Sequence, residues 1–177
     1  MKFSILLLIL SVVATGCATK IKYCGQLVRE DTEFIYCMGD EFKDNGGLTG
    51  IEKFKRLRRL YLDRAPLEDV APLSKMTALR ELDLNRTRVS DIRALASLKN
   101  LESLSVSDTK VTDISVLKSL PRITILKIAG LHLRDATPIY ALPFLKDLQI
   151  VSTTMPADQV APLRAYLKAK GVRLIPF

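Results

Sequence analysis

The sequence predicts an α/β solenoid, because one apolar pattern recurs every 22 residues along most of its length. The repeats open at Leu57, Leu79, Leu101, Ile123 and Leu145. Within each repeat, apolar residues occupy offsets 1, 4, 6, 11, 14, 17 and 20, and all 28 such positions between residues 57 and 144 are apolar. A fixed period of this length is typical of stacked repeats that share one continuous core.

Each repeat predicts one short strand followed by one helical or 3₁₀ turn. In the repeat that begins at Leu79, Leu82 and Leu84 alternate with Glu81 and Asp83, which is the two-residue period of a half-buried strand. The later apolar positions are three residues apart, which is the spacing of a helix or a 3₁₀ helix. We therefore expect the polar strand residues to point outward and the short turns to lie on the opposite side of the solenoid.

Polar residues also recur with the repeat, at offsets 13 and 9. The aspartates at offset 13 are Asp69, Asp91, Asp113 and Asp135. A carboxylate just before a helical turn accepts hydrogen bonds from unpaired amides, and this capping role explains the recurrence better than a metal site or acid–base chemistry does. Thr87, Thr109 and Thr153 occupy offset 9, where the chain leaves the strand, and we interpret their hydroxyls as partners for buried backbone groups rather than as nucleophiles.

Two segments of the repeat region carry a family resemblance. Residues 82–92 read Leu-Asp-Leu-Asn-Arg-Thr-Arg-Val-Ser-Asp-Ile, and residues 104–114 read Leu-Ser-Val-Ser-Asp-Thr-Lys-Val-Thr-Asp-Ile. This pattern resembles the 22-residue, internalin-like repeats of bacterial leucine-rich repeat proteins and extends over residues 57–152. The resemblance implies a horseshoe with a parallel sheet on its concave face and short helical or 3₁₀ turns on its convex face. It also implies that the concave face binds a protein.

The two ends depart from the repeat, as terminal caps do. Residues 23–56 are predicted to form an N-terminal cap, in which Leu48, Ile51 and Phe54 match offsets 14, 17 and 20 of a degenerate repeat that starts near Ile35. Residues 153–177 are predicted to form a C-terminal cap. Within it we expect an amphipathic helix from Asp158 to Lys170, ended by Gly171, and a last strand within residues 172–175.

The N-terminus predicts export and lipid anchoring. Residues 1–16 combine Lys2, an apolar run of about a dozen residues and a small-residue end, which together are typical of a signal peptide. The sequence Ala14-Thr15-Gly16-Cys17 resembles the lipobox of bacterial lipoproteins, which implies cleavage before Cys17 and attachment of lipid, palmitate included, to that cysteine. Residues 17–22 would then form the tether. The alternative is a soluble secreted protein that is cut near Ala14.

Lipidation would place the protein in the bacterial cell envelope. In the lipoproteins that the leader resembles, Ala18 after the cysteine implies the outer membrane if the cell is Gram-negative. Cys24 and Cys37 remain as an even pair in an exported chain, which favours a disulfide over free thiols. A metal site at these two cysteines is disfavoured, because no histidine lies nearby to complete a tetrahedral set.

Composition and isolated residues argue against several functions. The chain has 27 basic and 19 acidic residues, which is compatible with anionic partners, but an exported protein without a recognition motif is not expected to bind nucleic acid. His132, the single histidine, has no catalytic partner at a useful spacing, and no glycine-rich phosphate loop is present. The sequence therefore predicts neither an enzyme nor a cofactor.

The outward strand positions are the candidate protein-binding surface. They are Arg59, Tyr61, Asp63, Glu81, Asp83, Asn85, Ser103, Ser105, Ser107, Lys127, Asp147 and Gln149. Tyr61 is the only aromatic anchor that this pattern predicts there. The surface is large enough for one modest protein contact, which is the function that the sequence favours.

A basic patch at the start of the repeats offers a second candidate surface. Its residues are Lys53, Lys55, Arg56, Arg58 and Arg64, with Arg59 beside them. The patch is interpreted either as a solvated edge or as a contact for anionic headgroups or an anionic envelope polymer. The second interpretation leads to an alternative function, that of a structural envelope protein docked to the cell wall or to an anionic membrane surface.

Overall fold

The computed structural model of the chain describes residues 20–37 and 48–175. The predicted signal peptide and the predicted lipidation site, Cys17, lie outside these residues. Among the described residues, no helix is both long enough and apolar enough to cross a bilayer.

A curved stack of seven parallel strands forms the main sheet of the described residues, as the repeat predicts. Its strands are β3 (Phe34–Tyr36), β4 (Arg59–Tyr61), β5 (Glu81–Asp83), β6 (Ser103–Ser105), β7 (Ile125–Lys127), β8 (Asp147–Gln149) and β9 (Arg173–Leu174). Neighbouring strands pair in register through their central residues, so that Leu60 lies opposite Leu82 and Leu82 opposite Leu104. These leucines are buried, because the two-residue period of a strand sends them to the core side.

Short 3₁₀ helices return the chain on the convex side, and the prediction of helical or 3₁₀ turns is thereby resolved. They span Ile51–Lys53, Ala71–Lys75, Arg93–Ser97, Ser115–Ser119 and Thr137–Ala141. Segments of three to five residues form the tighter 3₁₀ turn more readily than an α-helix, and each places at least one apolar side chain, such as Leu73 or Leu95, in the core.

The offset-13 aspartates cap these turns from one position earlier than an N-cap. Asp69 Oδ1 accepts the N–H of Ala71 at 2.7 Å, and Asp113 Oδ1 accepts the N–H of Ser115 at 2.7 Å. The bonds from Arg93 and Thr137 to the other two aspartates repeat this arrangement. The capping role predicted from the sequence is confirmed, with the carboxylate reaching two residues forward.

The offset-9 threonines bond to backbone carbonyls, also as predicted. Thr87 Oγ1 donates to the carbonyl of Leu84 at 2.7 Å, and Thr109 Oγ1 donates to that of Val106 at 2.8 Å. Thr153 Oγ1 reaches back to the preceding repeat and donates to Ile128 at 2.6 Å. The hydroxyls of Thr87 and Thr109 close the turns that follow β5 and β6, and that of Thr153 joins two repeats.

The N-terminal cap contains a hairpin that the sequence pattern did not predict. Strand β1 (Lys20–Tyr23) pairs antiparallel with β2 (Gln26–Arg29) across a two-residue turn. Both turn residues, Cys24 and Gly25, have positive φ angles of 49° and 72°, which suit the right-handed twist of a hairpin. Because β1 begins at Lys20, residues 20–22 belong to this strand and not to the predicted tether.

The predicted disulfide is present and ties the hairpin turn to the sheet. Cys24 and Cys37 are bonded, with their Cα atoms 5.8 Å apart, and Cys37 follows β3 directly. Tyr23 packs edge-on against Phe54 at 5.4 Å between ring centroids, which fixes the same hairpin to the core. Leu48, Ile51 and Phe54 are all buried, as the degenerate repeat predicts.

The register of β3 differs from the sequence prediction. Ile35 lies opposite Leu60, which is an offset-4 residue, whereas the sequence analysis placed Ile35 at the opening position of its repeat. The first repeat is therefore three residues longer than the others. The correct register turns Phe34 and Tyr36 to the same face as Arg59 and Tyr61.

The C-terminal cap has the predicted helix and strand. Helix α1 spans Ala157–Ala169 and buries Leu163 and Leu167 against the last repeat. Gly171 follows the helix with a φ of 66°, a conformation that favours glycine at a helix end. The chain then adds β9 to the edge of the sheet beside β8.

Candidate recognition surface

An aromatic and basic cluster occupies the N-terminal end of the concave face. The ring of Tyr61 lies 5.5 Å from that of Phe34 and 6.3 Å from that of Tyr36, measured between centroids. The Arg59 guanidinium lies over the Phe34 ring at 5.2 Å. Tyr36 is 41% exposed, an unusual degree for a large side chain in a packed cluster. We call these four residues the aromatic cluster.

Arg59 and Tyr61 of this cluster are predicted from the sequence pattern, whereas Phe34 and Tyr36 are not. The sequence around Phe34 and Tyr36 does contain a pattern that identifies them. Phe34-Ile35-Tyr36 repeats the outward–inward–outward order of Arg59-Leu60-Tyr61, and alignment on Ile35 and Leu60 would have placed both pairs on one face.

Tyr61 also connects the aromatic cluster to an acidic pair on the next strand. Its phenol donates a hydrogen bond to Glu81. Burial raises the pKa of Tyr61 to about 12, and the bond to the Glu81 carboxylate acts in the same direction. The phenol therefore keeps its proton at physiological pH, and Glu81 is held in place as an acceptor.

A small depression of about 220 Å³ lies beside this pair, at the centre of the concave face. It is lined by Tyr61, Glu81, Leu82, Asp83, Ser103, Ser105, Ile125 and Lys127. Burial raises the pKa of Asp83, although its hydrogen bond from the Asn85 N–H at 2.8 Å opposes the shift. Within the described part of the chain, neither Glu81 nor Asp83 has a cation within salt-bridge distance.

Three residues predicted to bind a partner also join the repeats. Asn85 Oδ1 accepts the Ser105 hydroxyl at 2.6 Å and the Ser107 N–H at 2.8 Å. Ser107 Oγ in turn accepts the Ala129 N–H at 3.1 Å. Ser105 and Ser107 are only 4% and 7% exposed, so they offer little surface to a ligand, and their small size is explained by this packing.

Of the other residues predicted on the concave face, some are held in salt bridges within the described part of the chain and others are not. Asp63 holds Arg86 through two bonds of 2.9 and 2.8 Å, and Asp147 accepts the Arg173 Nε at 2.5 Å. Ser103, Lys127 and Gln149 are half-buried on the sheet. The face therefore passes from aromatic and basic through acidic to mixed polar along the solenoid.

The predicted basic patch does not form one uniform surface. Arg56 and Arg58 straddle Glu33 at 3.5 and 3.9 Å, and Arg64 lies 3.8 Å from Asp63. Lys53 and Lys55 are exposed on either side of Phe54. The charge of the arginines is thus partly neutralised, and the two lysines, which belong to the predicted N-terminal cap, face solvent.

A larger concavity of about 800 Å³ lies at the other end of the solenoid, between α1 and the last repeat. Its lining is mostly apolar and includes Ile150, Met155, Val160, Leu163, Leu167, Val172 and Leu174, with Arg164 and Lys168 at its side. No sequence prediction covered it, because the fifth repeat loses its register after Met155 and its packing cannot be inferred from the period.

The single histidine and the acidic side chains of the described residues form no metal site. His132 Nδ1 lies 2.7 Å from Thr154 Oγ1 on an exposed turn, and this contact joins two adjacent repeats. No group of three or more His, Cys, Asp or Glu side chains in residues 20–37 and 48–175 could hold a metal ion.

Comparison with known proteins agrees with this architecture. Residues 77–119 match the family model described as Leucine Rich repeats (2 copies). No curated protein sequence matches the chain significantly.

Solved structures of bacterial proteins share the fold at low sequence identity. An internalin (inlF) of Listeria monocytogenes is 22% identical, with a TM-score of 0.60 over 81% of this chain and 48% of its own. Internalin C2 of the same organism is 20% identical, with a TM-score of 0.65 over 85% of this chain and 75% of its own. A repeat protein of Leptospira interrogans is 19% identical, with a TM-score of 0.58 over 71% of this chain and 38% of its own. The chain spans about half the length of the first of these, and the likeness establishes a shared fold.

Proposed function

We propose that this leucine-rich repeat protein is a recognition module of the bacterial envelope that binds a protein through its concave face. The aromatic cluster carries the proposal. Tyrosine and arginine are enriched among the residues that dominate protein interfaces, and Tyr36 leaves a large ring accessible beside Arg59. A surface with this composition binds an apolar group of a partner and holds it against packed rings.

The neighbouring acidic pair supplies the second part of the surface. Glu81 and Asp83 lie beside Tyr61 and the central depression, and burial of Asp83 makes its ionised form costly in the free protein. Seven strands at about 4.8 Å give a face roughly 29 Å across. One contact of standard size, about 800 Å² on each partner, fits on it.

Export and lipid anchoring complete the proposal. The leader of residues 1–16 and the lipobox-like sequence before Cys17 support attachment of acyl chains to Cys17, with the outer membrane as the destination if the cell is Gram-negative. Two or more acyl chains anchor a protein stably, since each buried methylene contributes about 0.8 kcal/mol. The recognition surface would then stand close to a membrane.

Substitution of Cys17 tests the anchor. In cells given radiolabelled palmitate, the unaltered protein should be labelled and sediment with membranes, whereas Cys17→Ser should lose both properties. Cys24→Ser with Cys37→Ser is the matched control, because it removes two cysteines and should keep the label. Labelling of Cys17→Ser equal to that of the unaltered protein would contradict the proposal.

Paired surface variants test recognition. Tyr36→Ser with Arg59→Glu alters the aromatic cluster, and Phe144→Ser with Lys118→Glu makes the same kinds of change at exposed residues outside the concave face. Each protein is isolated from detergent-solubilised envelopes and its bound proteins are identified. A discrete partner that the first variant loses and the control retains supports recognition. Partners unaffected by the first variant, or lost equally in both, would count against it.

The alternative is a structural role, in which the domain docks to the cell wall or an anionic surface without a protein ligand. Exposure of Lys53 and Lys55 favours it, since both lysines face solvent within the predicted N-terminal cap. Charge reversal of both lysines should then weaken retention on isolated wall polymer, while the aromatic-cluster variant should behave like the unaltered protein. The opposite pattern supports protein recognition.

A further inference from the structure

The β1–β2 hairpin has two chemically different faces. Tyr23 is buried against Phe54 and Val28 is half-buried, so the face that carries them packs on the core. The pairing places Lys22 opposite Leu27 and Lys20 opposite Arg29. Directly opposed residues of an antiparallel pair share a face, and so do alternate residues of one strand. We call these four outward residues, Lys20, Lys22, Leu27 and Arg29, the hairpin face.

The hairpin face combines cations with an exposed leucine. Leu27 is 71% exposed, the highest fraction among the large apolar side chains of the described residues. Lys20 and Lys22 are exposed and have no acidic side chain within salt-bridge distance in the described part of the chain, whereas Arg29 is paired with Asp31 at 2.9 Å. Such a pattern is typical of surfaces that lie on anionic bilayers, where lysines meet headgroups and an apolar side chain enters the interface.

The position of the hairpin in the chain identifies the membrane as the occupant. β1 begins three residues after Cys17, a span of at most roughly 10 Å, and the residues before it include the apolar run of the leader. The disulfide from Cys24 to Cys37 and the packing of Tyr23 hold the hairpin against the solenoid. A membrane that holds the N-terminus is therefore within reach of the hairpin face, and contact there would fix the orientation of the whole domain.

We propose that the hairpin face is a membrane-contact site that rests on anionic lipid headgroups, with Leu27 inserted into the interface. This inference rests on the proposed anchor, because lipid on Cys17 brings the hairpin to the bilayer. Contact at the hairpin face would hold the solenoid at a fixed angle to the membrane. The concave face would then point in one direction instead of turning freely on a tether.

The absence of tryptophan from the sequence permits a direct test with the full-length, lipidated protein. Leu27→Trp places a single fluorophore on the hairpin face, and Phe144→Trp places one at a comparably exposed site, 62% accessible, on a loop of the repeats. Both proteins are reconstituted in vesicles of phosphatidylglycerol and phosphatidylcholine with brominated acyl chains. The Leu27→Trp protein should be quenched and the Phe144→Trp protein should not. Absence of quenching in both, or equal quenching, would overturn the proposal.

Charge variants in the Leu27→Trp background test the role of the lysines. Each cation near an anionic surface contributes about 1 kcal/mol, so Lys20→Gln with Lys22→Gln should weaken docking roughly 25-fold and abolish most of the quenching. Lys75→Gln with Lys118→Gln removes the same charge from the convex turns and should leave quenching unchanged. Equal loss in the two pairs would show a general charge effect and would contradict a defined site.

The failure of the anchor and the failure of the hairpin site can be told apart. Mass spectrometry of the purified protein shows whether Cys17 carries acyl chains. Lipidated protein that is not quenched at position 27 contradicts the hairpin site and leaves the anchor intact. If Cys17 carries no lipid, the proposed anchor is contradicted. The hairpin site is then still tested by adding the unlipidated protein to vesicles from solution and measuring quenching of the Trp at position 27. Binding of the hairpin to soluble anionic polymer but not to vesicles would also overturn the membrane assignment.

Discussion

At offset 8 of five successive repeats the backbone turns through a left-handed residue. These residues are Arg64, Arg86, Asp108, Gly130 and Ser152, with φ angles from 54° to 70°. In the first four of these residues the turn lets the backbone N–H reach the next repeat, as when the Asp108 N–H donates to the Ala129 carbonyl at 2.9 Å. Four of the five residues carry a side chain although the left-handed conformation is unfavourable for it. The left-handed backbone alone therefore does not explain why residue 130 is a glycine.

Gly130→Ala should destabilise the protein slightly more than a left-handed alanine does elsewhere. The backbone cost is about 1–2 kcal/mol, and the new Cβ would also collide with the Asp108 carboxylate. Because that carboxylate ends an exposed side chain, its displacement adds only a small cost. Gly171→Ala is the control, because its φ of 66° is similar and no atom lies within 4 Å of the added Cβ. Urea denaturation measures both. Equal effects, or no reduction of the Gly130→Ala effect when Asp108→Ala is added, would show that the collision is absent.

Two aspartates should respond oppositely to pH. Burial raises the pKa of Asp83 in the folded protein, so its ionised form destabilises the fold, and Asp83→Asn should increase the free energy of unfolding at pH 7. That difference should vanish as the pH falls below the ordinary value of 3.8. Hydrogen bonds from Arg93 lower the pKa of Asp91 to about 2, so Asp91→Asn should be destabilising at pH 7 and should lose its effect toward pH 2. Chemical denaturation at several pH values tests both signs, and the same sign for the two variants would contradict the account.

Residue roles on the sheet could be predicted from the sequence only in part. The alternation in each strand identifies which side chains leave the core, and Arg59, Tyr61 and Glu81 follow it. It does not reveal that Ser107 accepts the Ala129 N–H or that Asn85 bridges to Ser105, because those bonds depend on distances between repeats. A side chain that points outward from the sheet is therefore not always available to a ligand.

At the level of elements, the N-terminal cap depends on its disulfide. Cys24 and Cys37 are 13 residues apart in sequence, and closing a loop of this size stabilises a chain by about 3 kcal/mol in the entropic model. Cys24→Ala with Cys37→Ala should lower the free energy of unfolding by roughly that amount, measured by urea denaturation under oxidising conditions. Addition of reductant should lower the stability of the unaltered protein and leave the variant unchanged. A variant as stable as the oxidised protein would contradict the structural role.

The caps also mark where pattern-based prediction reached its limit. The even number of remaining cysteines predicted their pairing, but the β1–β2 hairpin has too short an apolar alternation to stand out. The extra three residues before β4 shifted the predicted register, and this shift hid Phe34 and Tyr36. At the other end, α1 and Gly171 were predictable because a longer amphipathic pattern and a stop residue coincide.

For the whole molecule, the 22-residue period contains nearly all the information about architecture. Every apolar offset lies in one continuous core, and the strands stack in register from β3 to β9. The period holds no information about a ligand, since the residues that differ between repeats are those on the outward face. The proposed function therefore rests on the aromatic cluster, the acidic pair and the proposed attachment at Cys17.

Site-specific photocrosslinking tests the central proposal, recognition by the concave face, most directly. Tyr36→benzoylphenylalanine places the crosslinker in the aromatic cluster, and Lys118→benzoylphenylalanine places it on a convex turn of the same protein. After irradiation of living cells, we expect a discrete protein adduct from position 36 and none from position 118. Adducts to the same proteins from both positions, or a heterogeneous wall-polymer product from position 36 alone, would contradict it.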